Sequence, residues 1–380
     1  MKSFAWCISA CIALTLPSFA SVSVSSPSAS ATVESPVRYS ASSSTTTCKA
    51  GIASMGIYVD NQLKYVNQGS TLNTSLSFSP GSYDTVVQAW DNCGGAEKAT
   101  VNITVASATP LVRSSRHIVM VMEENSGYST VVGSSAWPNL NRLMAHGALP
   151  THDYADSHPS IGNYFMLTTG QTLTTNDNST QVWNVPNLAR QMLAAAIRFR
   201  VYAEGITQGY VGGNTGLYLV RHNPFALLSD IADNRTVAKE VIWPFSQFSK
   251  DLASGTLPDF SFIVPDVEDD AHNGTPQQAD AWLQKNVVEL LSNDAAFQPS
   301  GDGMLVVDFD EGATTDTEYG GGHIAPVLWG PIVRDGYRQE TGTIYQHQSM
   351  LLTIEKALGL ANPPGAAAKA AAMGEFFVQK

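Results

Sequence analysis

Ile118-Val119-Met120-Val121-Met122-Glu123-Glu124-Asn125 is the stretch on which the reading of this chain turns. Five apolar residues without polar alternation describe a strand buried on both faces, as in a parallel sheet covered by helices. Two carboxylates and an amide follow at its carboxyl end, where open α/β sheets bind their ligands. The pattern recurs downstream. Asp259 to Val264 reads as a strand and runs into Pro265-Asp266-Val267-Glu268-Asp269-Asp270-Ala271-His272. Met304-Leu305-Val306-Val307 runs into Asp308-Phe309-Asp310-Glu311-Gly312, and Gly320-Gly321-Gly322-His323 stands just before the apolar Ala325 to Trp329. One acidic turn is ordinarily a solvated loop. Four strand edges bearing acids or histidine, at one end of one sheet, point to a metal.

Helices fill the gaps. Pro138 to His146 has proline near its start and Gly147 after its end. Asn187 to Ile197 is a second helix, and Phe199 to Ala203 reads as a strand. Gln277 to Phe297 is a long amphipathic helix with Trp282, Val287, Leu290 and Leu291 on its apolar side, and Gln348 to Leu358 ends at Gly359. The expectation for residues 113–380 is an α/β domain, a mainly parallel sheet with helices on both faces.

The region before it differs. Over 36–107 short alternating segments are separated by turns such as Asp60-Asn61-Gln62 and Pro80-Gly81, as in an all-β sandwich. It is similar to the bacterial Ig-like modules that precede exported enzymes, notably in Tyr58-Val59-Asp60 and Ala89-Trp90-Asp91. Residues 21–35, rich in Ser, Ala and Val, read as a flexible linker. Lys2, the apolar run Phe4 to Leu16 and Ser18-Phe19-Ala20 form a secretory signal over 1–20, so the protein is expected to be secreted or periplasmic. Removal of that segment leaves two of the four cysteines, Cys48 and Cys93, which in an exported chain pair as a disulfide; two thiols alone rarely build a metal site.

The 380 residues, 43% of them hydrophobic, suffice for two cores. A net charge of -12 argues against nucleic acid and against anionic membrane surfaces, and no segment after the signal is long and apolar enough for membrane insertion. It does not exclude a phosphate substrate, because local donors override the global field.

Glu124, Asn125, Asp310 and Glu311 are hard oxygen donors suited to a divalent ion, Ca, Mg or Mn, although Zn also accepts carboxylates. Asp266, His272 and His323 form a second group, which either holds another ion or contacts phosphate. Ser160, in Ser157-His158-Pro159-Ser160-Ile161-Gly162-Asn163-Tyr164, precedes a helix whose N-terminus favours an anion. It is the candidate nucleophile; the plain alternative is a helix cap.

Five short motifs, in this order, resemble one family: Glu123-Glu124-Asn125, His158-Pro159-Ser160 with Asn163-Tyr164, Arg221-His222-Asn223-Pro224-Phe225, Phe309-Asp310-Glu311-Gly312, and Gly322-His323-Ile324-Ala325-Pro326. It is the phosphoesterase family of acid phosphatases and bacterial phospholipases C, within the alkaline phosphatase superfamily. The resemblance implies metal ligands at Glu124, Asn125, Asp310 and Glu311, and a nucleophile at Ser160 that also touches the metal. It implies second-site roles, catalytic or metal-binding, for Asp266, His272 and His323, and a substrate contact at Asn163. His222 either lines the pocket with substrate or caps the helix starting at Pro224. His158 is left open, whereas His117, His146, His152 and His347 read as surface or structural. Gly162 stands where a proline is common, and Ala271 where a polar residue is.

The expected function is therefore a secreted, metal-dependent phosphoric-ester hydrolase of the acid phosphatase type, working through a phosphoserine. The alternatives are a phospholipase C-type phosphodiesterase and a non-catalytic Ig-like binding protein. A sulfatase needs a Cys/Ser-x-Pro-x-Arg motif, which does not follow Ser160. The polar loops 171–181 and 205–217 favour small phosphomonoesters over phospholipids.

Overall fold

The computed structural model describes residues 21–106 and 111–379, so the expected signal segment lies outside the described residues. The chain divides into two units, Met1–Thr109 and Pro110–Lys380. No helix among the described residues is long and apolar enough to cross a membrane.

The first unit is all-β. Gln62–Gln68, Ile52–Val59, Thr85–Asp91 and Ala96–Thr100 form an antiparallel four-stranded sheet in that order. Ser21–Ser26, Val37–Ser44 and Thr71–Leu76 form a second antiparallel sheet. Val37, Tyr39 and Ala41 from one and Met55, Ile57, Val87 and Ala89 from the other meet in a single core. Cys48 and Cys93 are joined as a disulfide. The linker reading of 21–35 is corrected. Ser21–Ser26 pairs with Val37–Ser44, and Ala31–Val33 pairs parallel with Ile103–Val105. Ser-Val-Ser-Val alternation is a strand pattern, and Val22 and Val24 pack on the core. A composition that resembles a linker concealed that period.

The second unit is built on an eight-stranded mixed sheet. Its order is Ile242–Pro244, Phe199–Ala203, Phe260–Val264, Ile118–Glu123, Met304–Phe309, Val327–Trp329, Ala148–Leu149 and Tyr337–Arg338. The first five strands run parallel, and Val327–Trp329 turns antiparallel beside Met304–Phe309. Ile118, Met120 and Met122 enter one core, while Val119 and Val121 enter the other. Both faces are covered, so the strand carries no polar alternation. This is the expected α/β architecture.

Most of the expected helices are present, namely Pro138–Ala145, Leu188–Ala194 behind the cap Asn187, and His347–Leu358 ending at Gly359. The long helix expected over 277–297 is broken. Pro276–Leu283 passes through a π turn, Gln284–Val288, into Glu289–Leu291, and a separate 3-10 turn spans Ala295–Phe297. Ser292 and Asn293 turn their side chains back onto the carbonyls of Val288 and Glu289, and Asp294 takes the Ala296 N–H. Such side chains compete with the backbone ladder and end a helix.

Register then positions the site. Ile118 lies between Phe260 and Met304, and Glu123 lies opposite Phe309. The residues following these two strands therefore emerge side by side.

Candidate active site

Glu124 and Asp310 leave adjacent strands and meet. The Asp310 N–H donates to the Glu123 carbonyl at 3.1 Å, and the Asn125 N–H donates to Asp310 Oδ1 at 3.0 Å. Asn125 sits at φ 51°, a left-handed conformation that asparagine tolerates, so the chain turns back over the strand ends. Asn125 Nδ2 donates to Glu124 Oε2 at 3.3 Å. Both carboxylates are fully buried.

The helix Ile161–Thr169 brings Ser160 to them. Ser160 occupies the capping position without making a side-chain cap bond. Its hydroxyl donates to Glu124 Oε2 at 3.3 Å instead, so it does not serve as a cap. Asn187, Asn223 and Asn234, in contrast, do cap their helices. Tyr164, one turn into the helix, donates to Glu124 Oε1 at 2.5 Å. A Cβ at Gly162 would lie 2.4 Å from Ser157 Oγ, so a larger residue there displaces the Ser157 side chain.

His222 is fully buried, stacked on Tyr164, and does not cap a helix, since Asn223 takes that role. Its Nδ1 pairs with Asp270 Oδ2 at 3.1 Å. Nε2 lies 3.2 Å from Glu124 Oε1 but makes no hydrogen bond. Burial, reinforced by Arg221, lowers its pKa to about 3, so the ring is neutral. With Nδ1 donating to Asp270, a lone pair on Nε2 faces a carboxylate oxygen. Two acceptors in contact call for something positive between or beside them.

The carboxylates make the same demand. Burial, then Asp310 and Asp270, hold the Glu124 carboxyl well above the usual carboxylate range. Burial raises Asp310, pushes Asp270 up to about 7 and, with Asp310, pushes Glu311 up to about 7. Asp310 Oδ2 is buried without a hydrogen-bond partner. The ligand atoms of Glu124, His222 and His272 lie within 4.8 Å of one another. Oxygen-rich donors, one imidazole and orphaned acceptors fit a divalent cation, which would lower these pKa values again.

The other expected site residues are distributed as follows. Glu311 is gripped by His158, whose Nδ1 lies 2.9 Å from Oε2 while its Nε2 bonds the Asp316 carbonyl. His272 Nε2 accepts from Arg221 Nη2 at 2.9 Å and its Nδ1 pairs with Asn273 Oδ1, so both ring nitrogens are engaged. Asp266 turns to partners of its own loop and neighbouring strand. It groups with Glu204 and Asp269, and its carboxylate takes the N–H groups of Glu268 and Asp269. The acid of that loop that reaches His222 is Asp270, four residues on, because the turn at Asp266 redirects the chain. Asn163 turns its amide to the backbone. Its Oδ1 accepts from the Asp156 and Ser157 N–H groups and its Nδ2 donates to the Ser157 carbonyl, which fixes the loop carrying Ser160. His323 is stacked between Tyr128 and Tyr154, with Nε2 on the Thr151 carbonyl, away from Glu124 and Ser160 in its bonding. Asp270, Tyr164, Asp177 and Arg221 were not foreseen as site residues. Only the motif memberships of Tyr164 and Arg221 marked them in the sequence.

Residues 134–361 match the model of the phosphoesterase family. The chain belongs to this family. A phosphatidylinositol-3-phosphatase of Mycobacterium tuberculosis is 33% identical over 258 residues, 67% of this chain and 80% of that protein. A probable acid phosphatase of Kluyveromyces lactis is 26% identical over 74% of this chain and 67% of its own length. The chain spans about half, 52%, of an Aspergillus fumigatus acid phosphatase that is 29% identical. This phosphoesterase is thus a hydrolase acting on phosphoric esters, and the resemblance seen in its motifs is correct.

One histidine of the phosphoesterase expected to be surface or structural is structural. His347 is buried, pairs through Nε2 with the Phe309 carbonyl at 2.9 Å and lies 3.3 Å from Asp156 Oδ2 through Nδ1. It pins the strand end that delivers Asp310. Burial opposes its protonation, but Asp156 and Asp308 outweigh burial and raise its pKa to about 9. A histidine raised above its unfolded value stabilises fully below about 6.5 and loses that contribution as pH rises through about 9. His347→Gln should therefore melt below wild type at pH 6, with the gap narrowing toward pH 9.5. Paired thermal melts check this, and a pH-independent gap would contradict it.

Proposed function

We propose that this chain is an exported, metal-dependent phosphomonoesterase of the acid phosphatase type that works through a phosphoserine at Ser160. The observation that carries the reading is the Ser160 hydroxyl bonded to the buried, cation-demanding Glu124 rather than to its own helix. Relatives named as acid phosphatases and as a phosphatidylinositol-3-phosphatase support phosphatase chemistry. Export is supported by the signal-like N-terminus and the Cys48–Cys93 disulfide.

Glu124, Asn125, Ser160 and Asp310 would hold the cation, with Glu311 and His222 beside them. The cation would supply positive charge that lowers the hydroxyl pKa and offsets charge on the phosphoryl group. The chain's own residues account for the rest. The helix Ile161–Thr169 presents its N-terminus to the phosphoryl oxygens. Asn163 keeps the preceding loop rigid, and Tyr164 fixes the Glu124 carboxylate. The Ser160 hydroxyl gives up its proton to solvent as the Oγ–P bond forms and the ester P–O bond breaks, and the departing oxygen takes a proton from solvent. Water then attacks the phosphoserine, releasing phosphate and restoring the hydroxyl. Positioning and electrostatics supply most of the rate in such transfers.

Ser160→Ala should lower kcat on p-nitrophenyl phosphate on the order of a thousandfold or more while leaving the melting temperature unchanged. Near-wild-type turnover would contradict the nucleophile assignment. Wild type should also favour p-nitrophenyl phosphate over dispersed phosphatidylcholine in kcat/KM, and a preference of about tenfold or more for the lipid diester would overturn the monoesterase reading.

A further inference from the structure

Arg221 stands apart among the arginines whose ion pairs are described. Arg190, Arg198 and Arg200 pair with Asp230, Asp259 and Asp251, none of which is at the site. Both partners of Arg221 are at the site. Nη2 donates to His272 Nε2 at 2.9 Å, and that ring lies within ligand distance of Glu124 and His222. Nε faces Asp177 Oδ2 at 3.7 Å, too far for a hydrogen bond, and is buried without a partner. Asp177 completes the geometry. Its other oxygen, Oδ1, accepts the Ile161 N–H at 3.2 Å, the peptide nitrogen directly after Ser160.

One carboxylate thus spans the guanidinium and the backbone at the nucleophile. Both are anion donors, and one small oxyanion, the Asp177 carboxylate, already lies against both. A phosphoryl group on Ser160 presents oxygens to those same donors. The remaining charged groups around it are Glu124, Asp310, Asp270 and Glu311, all acidic, together with the neutral His222 and with His158 held by Glu311. A phosphomonoester dianion brings one more negative charge into this acidic surround than a diester does. A fork-shaped guanidinium with a free donor is suited to that extra oxygen charge.

We propose that Arg221, held by His272 and Asp177, recognises the second negative charge of a phosphomonoester and so sets the preference for monoesters over diesters. This rests on the phosphomonoesterase reading and names its specificity residue. Removing the guanidinium withdraws an interaction that the dianion uses more than the monoanion does. Charge-assisted hydrogen bonds contribute enough for a change of about tenfold or more in selectivity.

The test compares wild type, Arg221→Lys and Arg221→Met as metal-loaded full chains on p-nitrophenyl phosphate and bis(p-nitrophenyl) phosphate. Arg221→Met should lose about a hundredfold in kcat/KM on the monoester and only a few-fold on the diester. Its inhibition by inorganic phosphate should weaken in step, and added guanidinium ion should restore part of the monoester rate. Arg221→Lys keeps a charge without the fork and should fall between the two; it also answers the question if the methionine variant does not fold. A parallel fall on both substrates, or no change in the monoester-to-diester ratio, would overturn the role of Arg221. A wild-type chain inactive on the monoester would instead refute the proposed function itself.

Discussion

Everything at the site follows from burying carboxylates against one another. Glu124 and Asp310 emerge from neighbouring parallel strands and are buried from solvent, and Asp270 stands behind them. Like charges in a low-dielectric interior are costly, and two routes relieve that cost: protonation or a cation. The raised carboxyl pKa values describe the first route. The orphaned Asp310 Oδ2 and the Nε2 of His222 turned toward Glu124 describe a site shaped for the second.

The surrounding structure holds that arrangement in place. His222 is kept neutral by burial and Arg221 and is oriented by Asp270. Tyr164 grips Glu124 from the helix that carries Ser160, and His158 grips Glu311. His347 secures the strand end before Asp310. Glycine enters where backbones must approach: at Gly322, with φ +87°, a Cβ would lie 2.8 Å from the Asp316 carbonyl, near the residue that orients His158. These partners come from separate elements, so the geometry around Ser160 depends on the whole sheet.

The sequence exposed the part of this that is local. Buried strands read as unbroken apolar runs, and the acids following Ile118–Glu123 and Met304–Phe309 could be placed at one sheet edge because parallel strands end together. The sequence was silent where side chains close over distance. Asp177 reaches Ile161 and Arg221 from a loop that reads only as polar. In the run Asp266 to Asp270 nothing in spacing says which acid turns inward; an Asx turn at Asp266 decides it. Asn163 reads like a substrate ligand because it sits in the nucleophile motif, yet its amide serves the loop backbone. Ser21–Ser26 was hidden by composition, although its alternation was present.

The central claim is that the Glu124–Asp310 pair is a cation site on which Ser160 depends. Elemental analysis of the purified chain, wild type beside Asp310→Asn, tests it most directly. The account predicts about one divalent ion per wild-type chain and a large loss of that ion, together with activity, in the variant. A wild-type chain that is fully active and free of metal after exhaustive chelation would contradict it.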